Sequence, residues 1–245
     1  MHAAPWRLND DNLTISTVVM ALNRPLVILL LITTCFSAVV VLHPEIDAQI
    51  SALFYRPGVG FPLAADARLL NLRWLGRALP AAVIFFLIVL LAWRFMRRQP
   101  LDVLSDRALA FVVSCFAIGP GLLVNAFFKT HWGRSRPLAT DLFGGTAHFT
   151  PAWWPWGDCL SNCSFVSGEA STAAVLFAFA TVSGARYRRP LSMAVGLWTV
   201  AISLNRMAFG AHYFSDVVLS CCLTLLVVFA LKGLLLRVPT APSAT

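Results

Sequence analysis

The sequence predicts an all-α polytopic membrane protein with about six transmembrane helices in one bundle. Of its 245 residues, 58% are hydrophobic and only 12% are charged, and the mean hydropathy is +0.75, outside the range of soluble domains. Apolar stretches of about 20 residues, the length of a helix that crosses a bilayer, recur along the chain. Lipid offers no hydrogen-bonding partner to the backbone, so these stretches are expected to be helices.

Six apolar stretches are the predicted spans. In chain order they are Pro25 to Leu42, Leu79 to Trp93, Ala108 to Phe128, Val166 to Ser183, Leu191 to Leu204 and Val217 to Leu236. The second and fifth are short and the fourth begins with polar residues, so five spans is the alternative. No small-residue cleavage pattern follows the first, which we interpret as a retained anchor rather than a signal peptide. Because no linker or repeat divides the chain, residues 1–245 are expected to form one helical domain.

Arginines between the spans indicate the orientation. They cluster between the second and third spans and between the fourth and fifth, which places those loops and both termini in the cytoplasm. The residues are Arg94, Arg97, Arg98, Arg107, Arg186, Arg188 and Arg189. The rule is only partly obeyed, because Arg56, Arg68, Arg73 and Arg77 follow the first span on the outward side. The net charge of +8 is scattered rather than gathered in a stripe, so anionic membrane lipid is the expected partner and nucleic acid is not.

A short helix is predicted after the first span. In HPEIDAQISALF, Ile46, Ile50, Leu53 and Phe54 share one helical face before Pro57 and Gly58 break the pattern. We interpret this helix as a surface cap at the outer interface, with a role in chemistry as the alternative.

The outward segment from Lys129 to Phe165 is long and rich in aromatic residues. It contains Trp132, Trp153, Trp154 and Trp156, interpreted as residues of the interfacial aromatic belt, with substrate contacts as the alternative. It also contains Cys159 and Cys163. An oxidising compartment would permit a disulfide there, and a bonded and a reduced pair are equally open.

Three polar segments stand at the ends of apolar stretches and are predicted to meet on the outward face. They are KTHWGRSRP (Lys129 to Pro137), SFVSGE (Ser164 to Glu169) and RMAFGAHYFSD (Arg206 to Asp216). Ionisable residues at the ends of spans are costly unless they serve a function or reach the membrane surface. Singly, each would be interpreted as a helix cap or as an arginine reaching the interface. Jointly they predict one phosphate-binding site.

The residue types in these segments suit a phosphoryl group. Arg136 and Arg206 offer planar forks matched to phosphate oxygens, and Lys129 offers a movable point charge. Ser167 and Gly168 open the fourth span, where the free N–H groups and the dipole of a helix N-terminus favour an anion.

A nucleophile is predicted beside these cations. His212 precedes Asp216 by four residues, so the carboxylate could hold one imidazole nitrogen while the other attacks phosphorus. Cationic side chains can stabilise the transition state of such a transfer. The sequence contains no Walker A, His-Glu-x-x-His or acidic cluster pattern, so neither a metal nor a cofactor is expected. Arg134 is interpreted equally as a phosphate ligand or as a contact to lipid headgroups.

The combined pattern, Lys-x6-Arg-Pro, then Ser-Gly, then Arg-x5-His-x3-Asp, resembles the type 2 phosphatidic acid phosphatase family, which is related to the vanadium haloperoxidases. The resemblance covers roughly Lys129 to Asp216. It implies a six-helix membrane phosphatase without a metal requirement, in which His212 forms a phosphohistidine supported by Asp216. The phosphate-binding residues that it implies are Lys129, Arg136, Ser167, Gly168 and Arg206.

One position departs from the family pattern. Most members have Pro-Ser-Gly-His where this chain has Val166 to Glu169, so the histidine that acts as leaving-group acid is absent. Glu169 is expected to replace it if burial near the membrane keeps the carboxyl protonated. The alternatives are that Glu169 binds a cationic or hydroxyl group of the substrate while water supplies the proton, or that the site is inactive.

A site with apolar walls at the outer edge of the bilayer suits a lipid phosphate. The resemblance leaves lipid A, phosphatidylglycerophosphate, phosphatidic acid and undecaprenyl pyrophosphate, and the Ser-Phe-Val-Ser-Gly-Glu variant with the Trp-rich segment is similar to lipid A phosphatases. Lipid A is therefore favoured, in a bacterial inner membrane with the site facing the periplasm. A lipid phosphotransferase, a non-enzymatic transporter of anionic lipid and a structural protein with a degenerate site are the alternatives.

Overall fold

The computed structural model describes residues 24–97 and 105–236, and every regular element in these two ranges is helical. The predicted cytoplasmic Arg98 lies outside the described residues. The main helices are α1 (Arg24–Leu42), α2 (Glu45–Ala52), α3 (Ala67–Arg97), α4 (Asp106–His131), α5 (Gly168–Val182), α6 (Ala185–Ala208) and α7 (Phe214–Leu235).

Five of these helices, α1, α3, α4, α6 and α7, are long and apolar enough to cross a membrane. The fourth predicted span is α5, a shorter apolar helix that is interrupted between Ala174 and Phe177. All six predicted apolar segments are therefore helical, and five of them have the length of a span. The second is not short, because α3 begins at Ala67 and runs for 31 residues. Hydropathy missed its first turns because they carry arginines.

The predicted interfacial helix is present as α2, with Ile50 and Phe54 packed against a buried cluster of Ala170, Met207 and Val217. Ile50 and Phe54 of the predicted apolar face are thus turned toward the bundle, whereas Leu53, assigned to the same face, is 79% exposed. The partners of Ile50 and Phe54 come from α5, α6 and α7, so α2 covers the end of the bundle where these helices meet.

A wide turn in α4 shapes the end of that helix. Residues Ala117–Phe128 follow the π-helical pattern, and Pro120 within them has no N–H to donate to the backbone hydrogen bonds of the helix. The Asn125 side chain donates to the Pro120 carbonyl at 2.6 Å. Such insertions commonly occur at functional sites because they redirect the residues that follow. Here the next residue is Lys129.

Helix α7 lies at the centre and contacts α1, α4 and α5. Its buried face carries a row of small hydroxyl side chains that bond to α5. Ser220 Oγ donates to the Ser167 carbonyl, and the Thr224 and Ser171 hydroxyls lie 2.7 Å apart. Because residues four apart share a helix face, this row fixes the start of α5 against α7.

The outward segment between α4 and α5 folds around an aromatic cluster. Trp132 stacks on Phe165 with ring centroids 5.1 Å apart, and Trp153 and Phe128 pack edge-on against them. Two of the four tryptophans therefore pack inside the protein rather than forming a belt. Trp154 and Trp156 are 51% and 75% exposed, as belt residues are expected to be.

Candidate active site

A cavity of about 410 Å³ opens at the end of the bundle where α5 begins and where α4 and α6 end. Six predicted site residues line it: Lys129, Arg136, Gly168, Glu169, Arg206 and His212. The other two, Ser167 and Asp216, are fully buried and bond to neighbours of these residues. The structure therefore brings the three sequence segments together at one place.

His212 is held in one tautomer by a backbone carbonyl. Its Nδ1 lies 2.8 Å from the Ser164 carbonyl oxygen, which can only accept, so Nδ1 carries the proton and Nε2 is left with a free lone pair. Burial lowers the pKa of His212 to about 3, against the opposing effect of Asp216. The imidazole is therefore neutral near pH 7, as a nucleophile at phosphorus must be.

Asp216 supports His212 less directly than the four-residue spacing suggested. Helix α7 begins only at Phe214, so His212 precedes it, and the Asp216 carboxylate lies 3.8 Å from the imidazole Nδ1. Asp216 instead accepts hydrogen bonds from the Ser164 hydroxyl and, at 2.9 Å, from the Tyr213 N–H. Ser164 thus joins the carboxylate to the histidine: its hydroxyl bonds to one and its carbonyl to the other.

Arg134 is fully buried, and both sequence interpretations of it, as a phosphate ligand and as a headgroup contact, are wrong. Its guanidinium lies between Asp216 at 2.6 Å and Asp47 at 2.7 Å, 4.3 Å from the centre of the Tyr213 ring. Burial alone would lower the pKa of Arg134, but the carboxylates of Asp216 and Asp47 outweigh it and raise the pKa. Arg134 is consequently a permanent charge that fixes Asp216.

Asp47 connects α2 to the residues beneath the site. Besides Arg134, its carboxylate accepts from the Ser215 N–H at 2.8 Å and from the Ser215 hydroxyl. The helix interpreted as a surface cap therefore anchors the loop that carries His212. The sequence signal for this role was an acidic residue, Asp47, within an amphipathic segment. The sequence alone did not distinguish a buried carboxylate at this position from one exposed to solvent.

Asn162 holds two of the predicted phosphate ligands. The Lys129 ammonium lies 3.3 Å from the Asn162 side-chain oxygen, and Arg136 Nη2 donates to the Asn162 carbonyl at 2.9 Å. Asn162 lies in the short loop closed by a disulfide between Cys159 and Cys163, so the pairing that the sequence left open is made. Asn162 was not predicted, because its role depends on this loop geometry.

The start of α5 is built for close packing. The Ser167 hydroxyl caps the helix by accepting from the Ala170 N–H at 3.3 Å. A Cβ on Gly168 would lie 3.0 Å from the Asn125 side-chain oxygen and 3.0 Å from Lys129 Cε. Glycine therefore lets α4 and α5 approach, which brings Lys129 beside the helix N-terminus.

Arg206 is the most exceptional cation in the cavity. It is only 2% exposed, yet Nε and Nη1 have no hydrogen-bond partner among the described residues. Its nearest carboxylate oxygen is Glu169 Oε2, 3.3 Å from Nε. Buried charged donors without acceptors are costly, and an anion in the cavity would supply the missing acceptors.

Glu169 faces two arginines rather than an apolar pocket. Besides Arg206, its other oxygen lies 3.7 Å from Nε of Arg73, which belongs to α3. Arg73 and Arg77 both line the cavity, and the sequence had singled them out only as exceptions to the charge rule for loops. Their four-residue spacing was the signal that could have placed them on one face of a helix.

Removing the carboxylate of Asp47 is expected to destabilise the protein. We expect Asp47→Ala to lower the free energy of unfolding by about 3–5 kcal/mol, because Arg134 is left as a buried charge with one partner fewer. Thermal unfolding in detergent measures the effect. Glu45→Ala, which removes an exposed carboxylate from the same helix, is the control and should change stability far less. Equal effects of the two variants would contradict the assignment.

His212 is expected to stay neutral, with its proton on Nδ1, from about pH 8 down to about pH 5, whereas an ordinary histidine titrates near pH 6.5. The sign follows from burial, which disfavours the charged ring. Nitrogen NMR of the protein with labelled histidines, with the His212 signals identified by their loss in His212→Asn, measures both properties. Titration between pH 6 and 7, or a proton on Nε2, would refute the expectation.

The chain matches the family model described as the PAP2 superfamily over residues 108–237, more than half of its length. Three relatives called lipid A 4'-phosphatase are similar to it. That of Rhizobium etli is 40% identical over 176 residues, which cover 70% of this chain and 66% of the relative. That of Francisella tularensis subsp. novicida is 34% identical over 197 residues, covering 78% and 87%. For Rhizobium leguminosarum the match is 45% over 128 residues, covering 51% and 54%, so the chain spans only about half to two thirds of the rhizobial relatives.

A solved structure supports the fold. The transmembrane PAP2 type phosphatidylglycerolphosphate phosphatase from Bacillus subtilis superposes with a TM-score of 0.56 at 21% identity, covering 85% of this chain and 94% of that one. This likeness confirms an all-helical membrane fold. Together with the match to the family model, it confirms the resemblance carried by the three motifs: the chain belongs to the PAP2 superfamily.

Proposed function

We propose that this protein is an integral membrane phosphatase that hydrolyses a phosphomonoester of a lipid through a phosphohistidine at His212. The observation that carries the proposal is the buried Arg206. Two of its nitrogens have no hydrogen-bond partner among the residues that the structure describes, and it borders the same cavity as a neutral histidine with a free nitrogen. A cavity of this kind attracts an anion and offers it a nucleophile.

In the proposed reaction, Lys129, Arg136 and Arg206 bind the phosphoryl oxygens at the N-terminus of α5. The lone pair of His212 Nε2 attacks phosphorus, and the bond from phosphorus to the lipid oxygen breaks as the N–P bond forms. The leaving oxygen takes a proton, and we propose that Glu169 enters the reaction as the protonated acid and donates it. Water then attacks the phosphohistidine and gives a proton to the Glu169 carboxylate as the N–P bond breaks, which releases inorganic phosphate and regenerates both the neutral imidazole and the acid. Asp216 and Ser164 stabilise the ring while it carries positive charge.

The proposed substrate is lipid A, and the favoured position is its 4'-phosphate, because the three relatives quoted above carry that name. Exposed apolar surface on α3 beside the cavity suits a substrate with acyl chains. We propose that catalysis needs no metal, since the cationic side chains can supply the charge that the transition state requires.

We further propose that the protein lies in the inner membrane of a bacterium with the cavity facing the periplasm. The disulfide between Cys159 and Cys163 lies beside the cavity, and disulfides persist in the periplasm but rarely in the cytosol. The positions of the arginines between the predicted spans support the same orientation.

The main test measures the phosphate that purified protein releases from lipid A and from a panel of other lipid phosphates, with EDTA present. We expect release from lipid A, and a loss of at least about a thousandfold in His212→Asn, because the nucleophile is removed. His131→Asn changes an exposed histidine at the end of α4 and is the matched control. Activity that persists in His212→Asn, or that EDTA abolishes, would contradict the mechanism. Phosphate recovered on a lipid acceptor would indicate a phosphotransferase instead.

The proposed acid role of Glu169 predicts a dependence on the leaving group. We expect Glu169→Gln to slow release from an alkyl or sugar phosphate by about a hundredfold or more, and from nitrophenyl phosphate by much less, because nitrophenolate leaves without a proton. Glu169→His, which restores the usual residue of the family, should recover part of the loss. Equal losses on both substrates would show that Glu169 acts on binding rather than as an acid.

A further inference from the structure

The cavity holds more positive charge than one phosphate monoester needs. Among the described residues, its cationic lining residues are Arg73, Arg77, Lys129, Arg136 and Arg206, and its one carboxylate is Glu169. A phosphate monoester carries at most about two negative charges near neutral pH. Lys129, Arg136 and Arg206, which belong to the family motifs, carry three positive charges and so already exceed the charge of one phosphate monoester. Arg73 and Arg77 come from α3, which lies outside those motifs.

Glu169 lies between one cation of the family motifs and one cation of α3. Its Oε2 faces Arg206 at 3.3 Å, and its Oε1 faces Arg73 at 3.7 Å. An anion bound by Arg206 and an anion bound by Arg73 would lie on opposite sides of it.

Arg73 resembles Arg206 at one atom, Nε, although its side chain is 37% exposed and that of Arg206 only 3%. Its Nε is buried and has no hydrogen-bond partner among the described residues, since the carboxylate of Glu169 is too distant for one. An arginine that merely reached toward lipid headgroups would expose this atom. Arg73, Arg77 and Arg136 also act on Arg206 as like charges, a repulsion that bound anions would relieve.

A second hollow adjoins the cavity on the side of α3. It has a volume of about 600 Å³ and shares Arg73, Arg77 and Ala81 with the first, and Trp74 borders it with 67% of its surface exposed. The two arginines thus form the boundary between the hollows. A group too large for the first cavity could extend past Glu169 and keep contact with both guanidinium groups.

We propose that Arg73, Arg77 and the hollow beside Trp74 form a second anion-binding subsite, which takes a further phosphate or carboxylate of the same lipid headgroup. This inference rests on the proposed function and narrows its substrate class. The preferred substrates are lipids with two anionic groups on an extended headgroup, such as bisphosphorylated lipid A. Phosphatidic acid, with a single phosphate, would leave the subsite without a ligand.

The test compares kcat/KM for lipid A with that for lipid A lacking its 1-phosphate, in micelles of a neutral detergent. For the wild-type protein we expect the bisphosphate to be preferred at least about tenfold, the effect of one charge-assisted contact. Arg77→Gln should reduce the preference to less than about threefold, and Arg77→Lys, which keeps the charge but not the fork, should keep part of it. Arg68→Gln removes an exposed arginine of the same helix that borders neither hollow and should leave the preference unchanged.

Each outcome decides between the proposals. If wild-type protein hydrolyses neither lipid, the proposed function fails. If it hydrolyses both at equal efficiency, the lipid phosphatase stands and the second subsite is refuted. A preference that survives Arg77→Gln and Arg73→Gln would place the recognition of the second anion elsewhere. A preference that disappears when phosphatidylglycerol is added to the micelles would show that the arginines bind neighbouring lipid headgroups, and would overturn the proposal.

Discussion

The ion pair network of Asp47, Arg134 and Asp216 is the constraint on which the site depends. Three charges are removed from water at the point where α2, the outward segment and α7 meet. Such an arrangement is tolerable only if each group keeps all its partners, because one unpaired member would cost several kcal/mol. The elements that carry these residues are consequently fixed relative to each other, and the position of His212 follows from that.

The cavity beyond this network is lined by cations that lack some of their hydrogen-bond partners, in contrast to the paired charges of the network. Arg206 and Arg73 have buried donors for which the described residues provide no hydrogen-bond acceptor. Charged groups that are paired and fully hydrogen-bonded lie beneath the cavity, and incompletely bonded cations line it. This contrast concentrates attraction for an anion in one small volume. Glu169, the one acidic residue among the described residues of the lining, lies between two of these guanidinium groups.

The sequence predicted the parts of this structure that follow from local pattern. Hydropathy located the apolar helices, and the spacing of Lys129, Arg136, Arg206 and His212 indicated one site, because each residue stands where an apolar stretch ends. Features that depend on tertiary contacts could not be predicted. The role of Asn162 requires the closed disulfide loop, and the position of Asp47 requires that α2 fold back over α7. The first turns of α3 were not predicted to be helical because their arginines lower the hydropathy. Two of these arginines, Arg73 and Arg77, line the cavity.

The short α5 has a consequence for how a lipid reaches the site. A helix of 15 residues rises about 22 Å, whereas the hydrocarbon layer is about 30 Å thick. One end of α5 therefore falls short of the level that the longer helices can reach. If that end is the one that carries Gly168, the floor of the cavity lies inside the apolar layer. Under the proposed function, the phosphate of a lipid would then enter the cavity from the side while the acyl chains stay among their neighbours, and water would be the reactant that has to cross part of the apolar layer.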